Sequence, residues 1–268
     1  MLPLVDTHCH LNFKSFAEDL DAVIARARAQ GIQRIVIPAV DIPSAESAIA
    51  LAKAHPGFIY AAAGIHPNDG AGWDASSLDR LRELAGASEV VAIGEIGLDF
   101  YRDYSPPGEQ ITIFERQLSL AVEMSLPVIV HCRSALPQLA PILADWAAGL
   151  RRTASPLSSC PGIMHAFEGS LEEAREFTSL NFMIGIGGPV TFKNALEKQA
   201  VAAGLPLASL VTETDAPFLT PHPFRGRRNE PGNIIYILEK IAQLHDQPLP
   251  VVATTLYENA AQVFKRII

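Results

Sequence analysis

Leu2-Pro3-Leu4-Val5-Asp6-Thr7-His8-Cys9-His10 is a short apolar run that ends in two imidazoles at i and i+2. If Leu2–Thr7 is a strand, side chains two apart point to the same side, and His8 and His10 project together from its end. Two imidazoles held side by side suit a divalent transition metal. Taken alone, an H-x-H pair is as readily two unrelated histidines. The same unit recurs, however, and the recurrence decides the fold. Apolar runs follow at Arg34–Ala39, Phe58–Ala63, Val90–Gly94, Pro127–His131, Gly162–His165, Phe182–Ile186 and Leu210–Glu213. Most are rich in Val, Ile, Leu or Ala without polar alternation, as strands of a parallel sheet buried on both faces are.

The segments between these runs carry helical periodicity. Phe16, Leu20, Val23, Ile24 and Ala27 recur at helix spacing, as do Ile113, Gln117, Leu118, Ala121 and Met124. Ser170 and Glu173 are spaced as a capping box, and Pro206 ends the helix before the last strand. Eight strand–helix units predict an α/β fold, a closed (β/α)8 TIM barrel forming one domain over residues 1–268. Extra C-terminal helices near Asn233–His245 and Pro250–Ile267 would close the barrel and pack its outside. The alternative, an open doubly wound sheet, usually carries a Gly-rich phosphate loop after its first strand, and none follows Val5. Arg151–Pro161 reads as a surface loop.

Composition narrows the function classes. The 268 residues match the roughly 250 of one such barrel. No apolar run reaches the roughly 18–20 residues of a membrane span, and the start lacks the pattern of a secretory signal. Three cysteines, an odd and low count, suit a reducing cytoplasm. Cys9 and Cys132 each follow a histidine and would face away from it as packed thiols, with Cys160 in a loop. A net charge of −8 argues against non-specific coating of a duplex. A phosphate substrate must therefore be attracted locally, by metal ions or a small arginine cluster.

Ionisable residues collect where the strands end. The first strand runs into His8 and His10, the third into His66, the fourth into Glu95 and Asp99, and the fifth into His131 and Arg133. The sixth ends at His165 and the eighth at Glu213 and Asp215. Barrel enzymes place their chemistry at these C-terminal ends. Each residue alone has an ordinary explanation: His165 as a core histidine, Asp215 as a helix cap. Together His8, His10, Glu95, His131, His165 and Asp215 supply enough imidazoles and carboxylates for two divalent ions, one carboxylate bridging. Two ions roughly 3.5–4 Å apart polarise an electrophile and lower the pKa of a shared water to about 7.

DTHCHLNF, GIHPND, AIGEIGLDFYRD, PVIVHCR, GIGGPVTFKNA and ETDAPFLTPHPFRGRRNEP resemble the signature stretches of the TatD family of metal-dependent hydrolases, often called TatD-type deoxyribonucleases. The resemblance runs from Asp6 to the last helix. It implies a barrel within the wider amidohydrolase-like group. It also implies that His8, His10 and Asp215 hold one ion, that His131 and His165 hold the other, and that Glu95 bridges. His66 and Arg133 would support the ligands or touch a substrate phosphate. Two departures stand out: Ser134 and Ala135 follow Arg133 where an Asp is common, and Glu168 replaces the small hydroxyl residue usual before the glycine of the strand-six motif.

The function expected is hydrolysis of a phosphodiester, with DNA ends as substrate, or another phosphodiester. Asp215 is the candidate general base and Glu213 supports a ligand. Arg225, Arg227 and Arg228 either hold phosphate oxygens or form a solvated loop. Phe100, Tyr101 and Tyr104 either stack on a base or pack. The cofactors expected are two divalent ions, from among Zn, Mn, Mg, Ni and Co. A hydrolase of a carbon ester, amide or lactone is the rival enzyme. Many barrels of that kind bridge their metals through a modified lysine, and no lysine ends the fourth or fifth strand. A non-catalytic metal-binding barrel is the rival outside enzymes. A soluble monomer in the cytoplasm, without membrane partners, is compatible with the sequence.

Overall fold

A computed structural model describes residues 2–102 and 104–267. Eight strands run parallel and pair in sequence order: β1 (Leu4–Asp6), β2 (Ile32–Pro38), β3 (Ile59–Ala63), β4 (Val90–Asp99), β5 (Val128–Arg133), β6 (Gly162–Met164), β7 (Met183–Ile186) and β8 (Leu210–Thr212). Backbone hydrogen bonds lace β8 to β1: Thr7 N–H to the Thr212 carbonyl (3.1 Å), Asp215 N–H to that of His8 (2.8 Å) and His10 N–H to that of Ala216 (2.8 Å). The sheet thus closes into a (β/α)8 TIM barrel. Its helices are α1 (Leu20–Ala29), α2 (Ile42–Ala54), α3 (Ala75–Ala85), α4 (Pro107–Met124), α5 (Leu136–Arg152), α6 (Leu171–Ser179), α7 (Leu196–Gly204), α8 (Ile234–His245) and α9 (Leu249–Val263). Among the described residues, no helix is long and apolar enough to cross a membrane.

Local chemistry sets the helix starts. Asp41 with Ser44, Asp74 with Ser77, and Ser170 with Glu173 form reciprocal capping boxes at α2, α3 and α6. The apolar residues then sort into two layers. The larger lies between strands and helices, with Phe16, Phe114, Phe177 and Phe182 fully buried in it. The smaller takes a residue from every strand, namely Val5, Val36, Ala62, Ala92, Ile129, Ile163, Met183 and Val211, and is joined by Phe264 and Ile267 beyond α9. This is the filled barrel interior, and the C-terminal residues plug it. Cys160, expected in a loop, ends a short 3-10 turn there but is buried in this layer.

The strands start and end within about two residues of the sequence reading, with one exception. β4 was expected to end at Gly94 and continues to Asp99. Two features carry it on. Ile93 pairs with Val128 and Ile96 with Val130, so three residues of β4 span the step that two of β5 make. The extra residue is a bulge at Gly94–Glu95. Gly97 then lets β4 approach β5 closely: its φ is +147°, and an added Cβ would stand 1.9 Å from the His131 carbonyl oxygen. Gly97→Ala is therefore expected to cost about 2 kcal/mol or more through a disfavoured backbone and a clash that nothing flexible can relieve. The expected fall in Tm by calorimetry is at least about 4 °C; an unchanged Tm would contradict this account of β4.

Candidate metal centre

Strand periodicity carries side chains from the apolar floor to the rim. Ile129 and Ile163 belong to the floor, and His131 and His165 stand two residues beyond them. Val211 leads in the same way to Glu213 and then Asp215. In β4, Ala92 pairs with Ala62 and shares the floor, yet Glu95 follows by three residues. A regular strand would turn Glu95 outward; the bulge turns it inward. His8 and His10 arrive through the backbone lacing of β1 with the segment after β8.

The structure brings these residues together. His8 Nε2 and His10 Nε2 stand 3.1 Å apart. Glu95 Oε2 lies 3.3 Å from the first and 3.9 Å from the second, and Asp215 Oδ1 lies 3.6 and 3.5 Å from them. The other oxygen of Glu95 faces a different group: Oε1 lies 2.9 Å from His131 Nδ1 and 3.9 Å from both His165 Nε2 and His66 Nε2. His165 Nε2 is also 3.8 Å from Asp215 Oδ1, and its ring stacks on His8 at 3.4 Å. His8, Glu95 and His10 are all at most 3% exposed.

Support comes from a further ring of polar contacts. Glu213 Oε2 lies 3.0 Å from His165 Nδ1, while its Oε1 accepts from the Ala166 backbone (2.6 Å). Buried Asp6 accepts from the His8 and Thr214 backbones and the Thr214 hydroxyl, tying the ends of β1 and β8 together. Gln110 accepts from Asp99 N–H and donates to the Asp99 carbonyl. Three residues at the rim hold positive φ without being glycine: Ser134 (+53°), Ala166 (+44°) and Asp215 (+54°). Strained backbone of this kind persists where surrounding contacts fix it.

Electrostatics favour a cation. Burial opposes the charge on Glu95, but the charge of His8 and hydrogen bonds with His131 and His8 outweigh it and hold its pKa well below the carboxylate range. Asp215 is likewise lowered: burial opposes, while its hydrogen bond with His10 and the charges of His165 and His8 prevail. Burial presses His131 down, yet bonds with Asp99 and Glu95 push it up to about 9. Burial keeps His66 neutral, at about 4. Burial, with a smaller push from the charge of Glu213, raises Asp6 to about 7 despite its three donors.

Asp99, which follows the fourth run in the sequence, carries no assigned site role there. It stands 3.3 Å from His131 Nε2 and accepts from Asn68 at 3.0 Å, so His131 lies between two carboxylates. Its position four residues after Glu95 on one strand was the available signal. His66, Arg133, Arg102 and Tyr104 line the cleft over the cluster, about 410 Å³ in volume. Arg225 does not line it; its guanidinium lies 4.5 Å from the Phe192 ring centroid. Arg228 is bound to Asp19 (2.7 and 2.8 Å) and Glu230 (2.9 Å), so its charge is committed to an ion-pair clasp between α1 and the loop after β8. Phe100 packs against the core, whereas Tyr101 is exposed with Arg133 over its ring at 3.8 Å.

The donor set fits divalent metal. Ligand atoms bonded to one ion at about 2.0–2.1 Å stand roughly 3.3 Å apart in tetrahedral geometry, close to the separations among His8, His10, Glu95 and Asp215. The Nδ1 atoms of His8 and His10 are buried without a protein partner, while their Nε2 atoms converge.

The chain resembles known proteins over nearly its whole length. A family model described as TatD related DNase matches residues 5–265. A protein of Bacillus subtilis named as the uncharacterized metal-dependent hydrolase YabD is 42% identical over 262 residues, 98% of this chain and 99% of the relative. The 3'-5' ssDNA/RNA exonuclease TatD of Pectobacterium atrosepticum is 35% identical over 268 residues, covering 98% and 99%. The crystal structure of YJJV, a TatD homologue from Escherichia coli, superposes with a TM-score of 0.89 at 34% identity, covering 98% of both chains.

Glu95→Gln tests the bridging geometry. A neutral amide removes the charge shared by both histidine groups, so bound divalent metal, measured by elemental analysis after dialysis, is expected to fall by at least about half, with loss of turnover. A variant that keeps its full metal content and turnover would overturn the role of Glu95 as the carboxylate shared by the two histidine groups.

Proposed function

The chain belongs to the TatD family of metal-dependent hydrolases, and from that premise we propose that it hydrolyses phosphodiester bonds at the 3' ends of single-stranded nucleic acid. The observation that carries the proposal is the division of Glu95. Its Oε2 faces His8 and His10, and its Oε1 faces His131 and His165. In this reading His8, His10 and Asp215 hold one divalent ion, His131 and His165 hold a second, and Glu95 spans the two. A divalent pair bound there supplies Lewis-acid polarisation of a phosphoryl oxygen and acidifies a water towards neutral pH.

The chain's own residues do the rest. Asp215, held ionised and within 3.8 Å of three imidazoles, takes up the proton of the attacking water. Glu213 fixes the ring of His165 through Nδ1. Arg133 and Arg102, both lining the cleft, are the cations for non-bridging phosphate oxygens. Arg225 has no part in this assignment. Burial of His8 and His10 keeps water from the floor, and the cleft exposes Glu95, His131 and Asp215 to the reacting group.

The direct test uses the metal-loaded protein on a single-stranded oligonucleotide labelled at the 5' end, beside ester and lactone substrates. Stepwise shortening from the 3' end is expected; turnover of the carbon esters alone would overturn the proposal. In the same assay Asp215→Asn is expected to lower the rate by about 10²–10⁴-fold while retaining metal on His8, His10 and Glu95. An active, metal-loaded Asp215→Asn protein would remove Asp215 from the chemistry.

Glu168, where the chain departs from its family, is 56% exposed at its side chain, and its Oε1 lies 4.0 Å from Lys198 Nζ. It lines a neighbouring cavity with His165 rather than the cleft over Glu95. Its repulsion of an anionic substrate is therefore screened by solvent and partly neutralised. Glu168→Ser is expected to raise kcat/KM on an oligonucleotide by less than about threefold, a gain that disappears in high salt. A larger gain that persists in salt would show that the carboxylate faces the bound phosphate directly.

A further inference from the structure

Two aromatic rings stand between the metal cleft and a second groove. Phe13 and Phe218 line both. Each sits three residues beyond a candidate ligand and is tied back to it: Phe13 N–H donates to the His10 carbonyl (3.1 Å), and Phe218 N–H to that of Asp215 (2.8 Å). Phe13 stacks on the His10 ring with centroids 4.4 Å apart, and Phe218 meets Phe13 edge-on at 6.2 Å. These contacts fix both rings relative to the reacting centre. Phe218 nevertheless leaves 52% of its surface exposed at the rim of a charged cleft.

The groove beyond the rings has a volume of about 580 Å³ and offers Asn12, Lys14, Ser15 and Ser47 along its walls. Lys14, Ser15 and Ser47 are donors suited to a sugar–phosphate backbone, while the Asn12 amide donates to the Ser44 carbonyl at 3.1 Å. The one carboxylate there, Asp41, is turned to the backbone of Ser44 at 2.7 Å as a helix cap. The groove is open and shares Phe13, Val40 and Phe218 with the cleft, so a strand crossing these residues passes from one to the other. With a net charge of −8, the protein gains little hold on a polyanion from its overall field. Stacking of bases on aromatic rings does not depend on that field and tolerates any sequence.

We propose that Phe218, braced by Phe13, is the stacking platform for the nucleobase next to the scissile phosphate on the retained side of the strand, and that the groove carries the strand onward. This rests on the nuclease reading above. Tyr104, Arg102 and Arg133, which line the same cleft, are left to the released nucleotide.

The test is a cycle between enzyme and substrate, reading the first cleavage of 5'-labelled oligothymidylate by metal-loaded protein. One substrate is intact, one has an abasic residue just inside the scissile phosphate, and one has it at the released nucleotide. Phe218→Ala is expected to raise KM on the intact strand about tenfold, with a smaller change in kcat, and Phe218→Trp to restore it. On the inner-abasic strand the wild type is expected to lose about the same factor and Phe218→Ala to add little. On the terminal-abasic strand the full Phe218→Ala effect should remain. Independent, multiplying losses, no effect of Phe218→Ala, or non-additivity at the released nucleotide would each overturn the assignment. If the wild type cleaves carbon esters but no strand, the nuclease reading falls first and the platform with it. Phe218 is half exposed, so unaltered Tm in the variants separates loss of stacking from loss of fold.

Discussion

A carboxylate that is 3% exposed must be compensated, and Glu95 is compensated by five imidazoles within 3.9 Å. They come from the end of β1, the turn after β3, and the ends of β5 and β6. No single helix or hairpin supplies so many partners to one point. A closed barrel does, because every strand end faces a common axis. Removing one partner from such a cluster leaves charge without company in a medium that solvates it poorly. The architecture and the centre are therefore one constraint: the sheet has to close for the carboxylate to be tolerated, and the imidazoles hold its mouth together.

A second tier of contacts keeps those imidazoles in place. Asp6 and Thr214 lock the two ends of the seam, Glu213 lies 3.0 Å from His165 Nδ1, and Asn229 donates to the Thr214 and Phe218 carbonyls. On the outside, Arg26, Arg228, Asp19 and Glu230 hold the long segment after β8 against α1. Burial of the Asp6 carboxyl is costly by itself. Its three hydrogen bonds explain why the position is nonetheless occupied by an acid.

Much of this was legible in the residues. The eight apolar runs without polar alternation named the parallel barrel, and His8, His10, Glu95, His131, His165 and Asp215 do converge in space. What escaped has a common physical cause. Periodicity reports which residues are apolar, not where a strand gains a residue, so the continuation of β4 through Gly97 to Asp99 was not anticipated. Asp99, at the end of that continuation, is visible in the sequence but without a role. Basic residues in a row say nothing about their partners either. Arg228 spends its charge on Asp19 and Glu230, and Arg225 lies over Phe192. Cys160 shows the same gap: a loop position in the sequence is part of the barrel floor in space.

The bulge in β4 also changes what kind of information the site consists of. On β5, β6 and β8, an even count from the apolar floor leads to the polar rim. On β4 the count from Ala92 to Glu95 is odd, and the extra residue restores the phase. Parity, and not residue identity alone, thus decides whether Glu95 meets the histidines or the surrounding helices. A one-residue deletion between Ala92 and Glu95 is, for the centre, equivalent to erasing the carboxylate, even though every functional side chain would still be present in the chain.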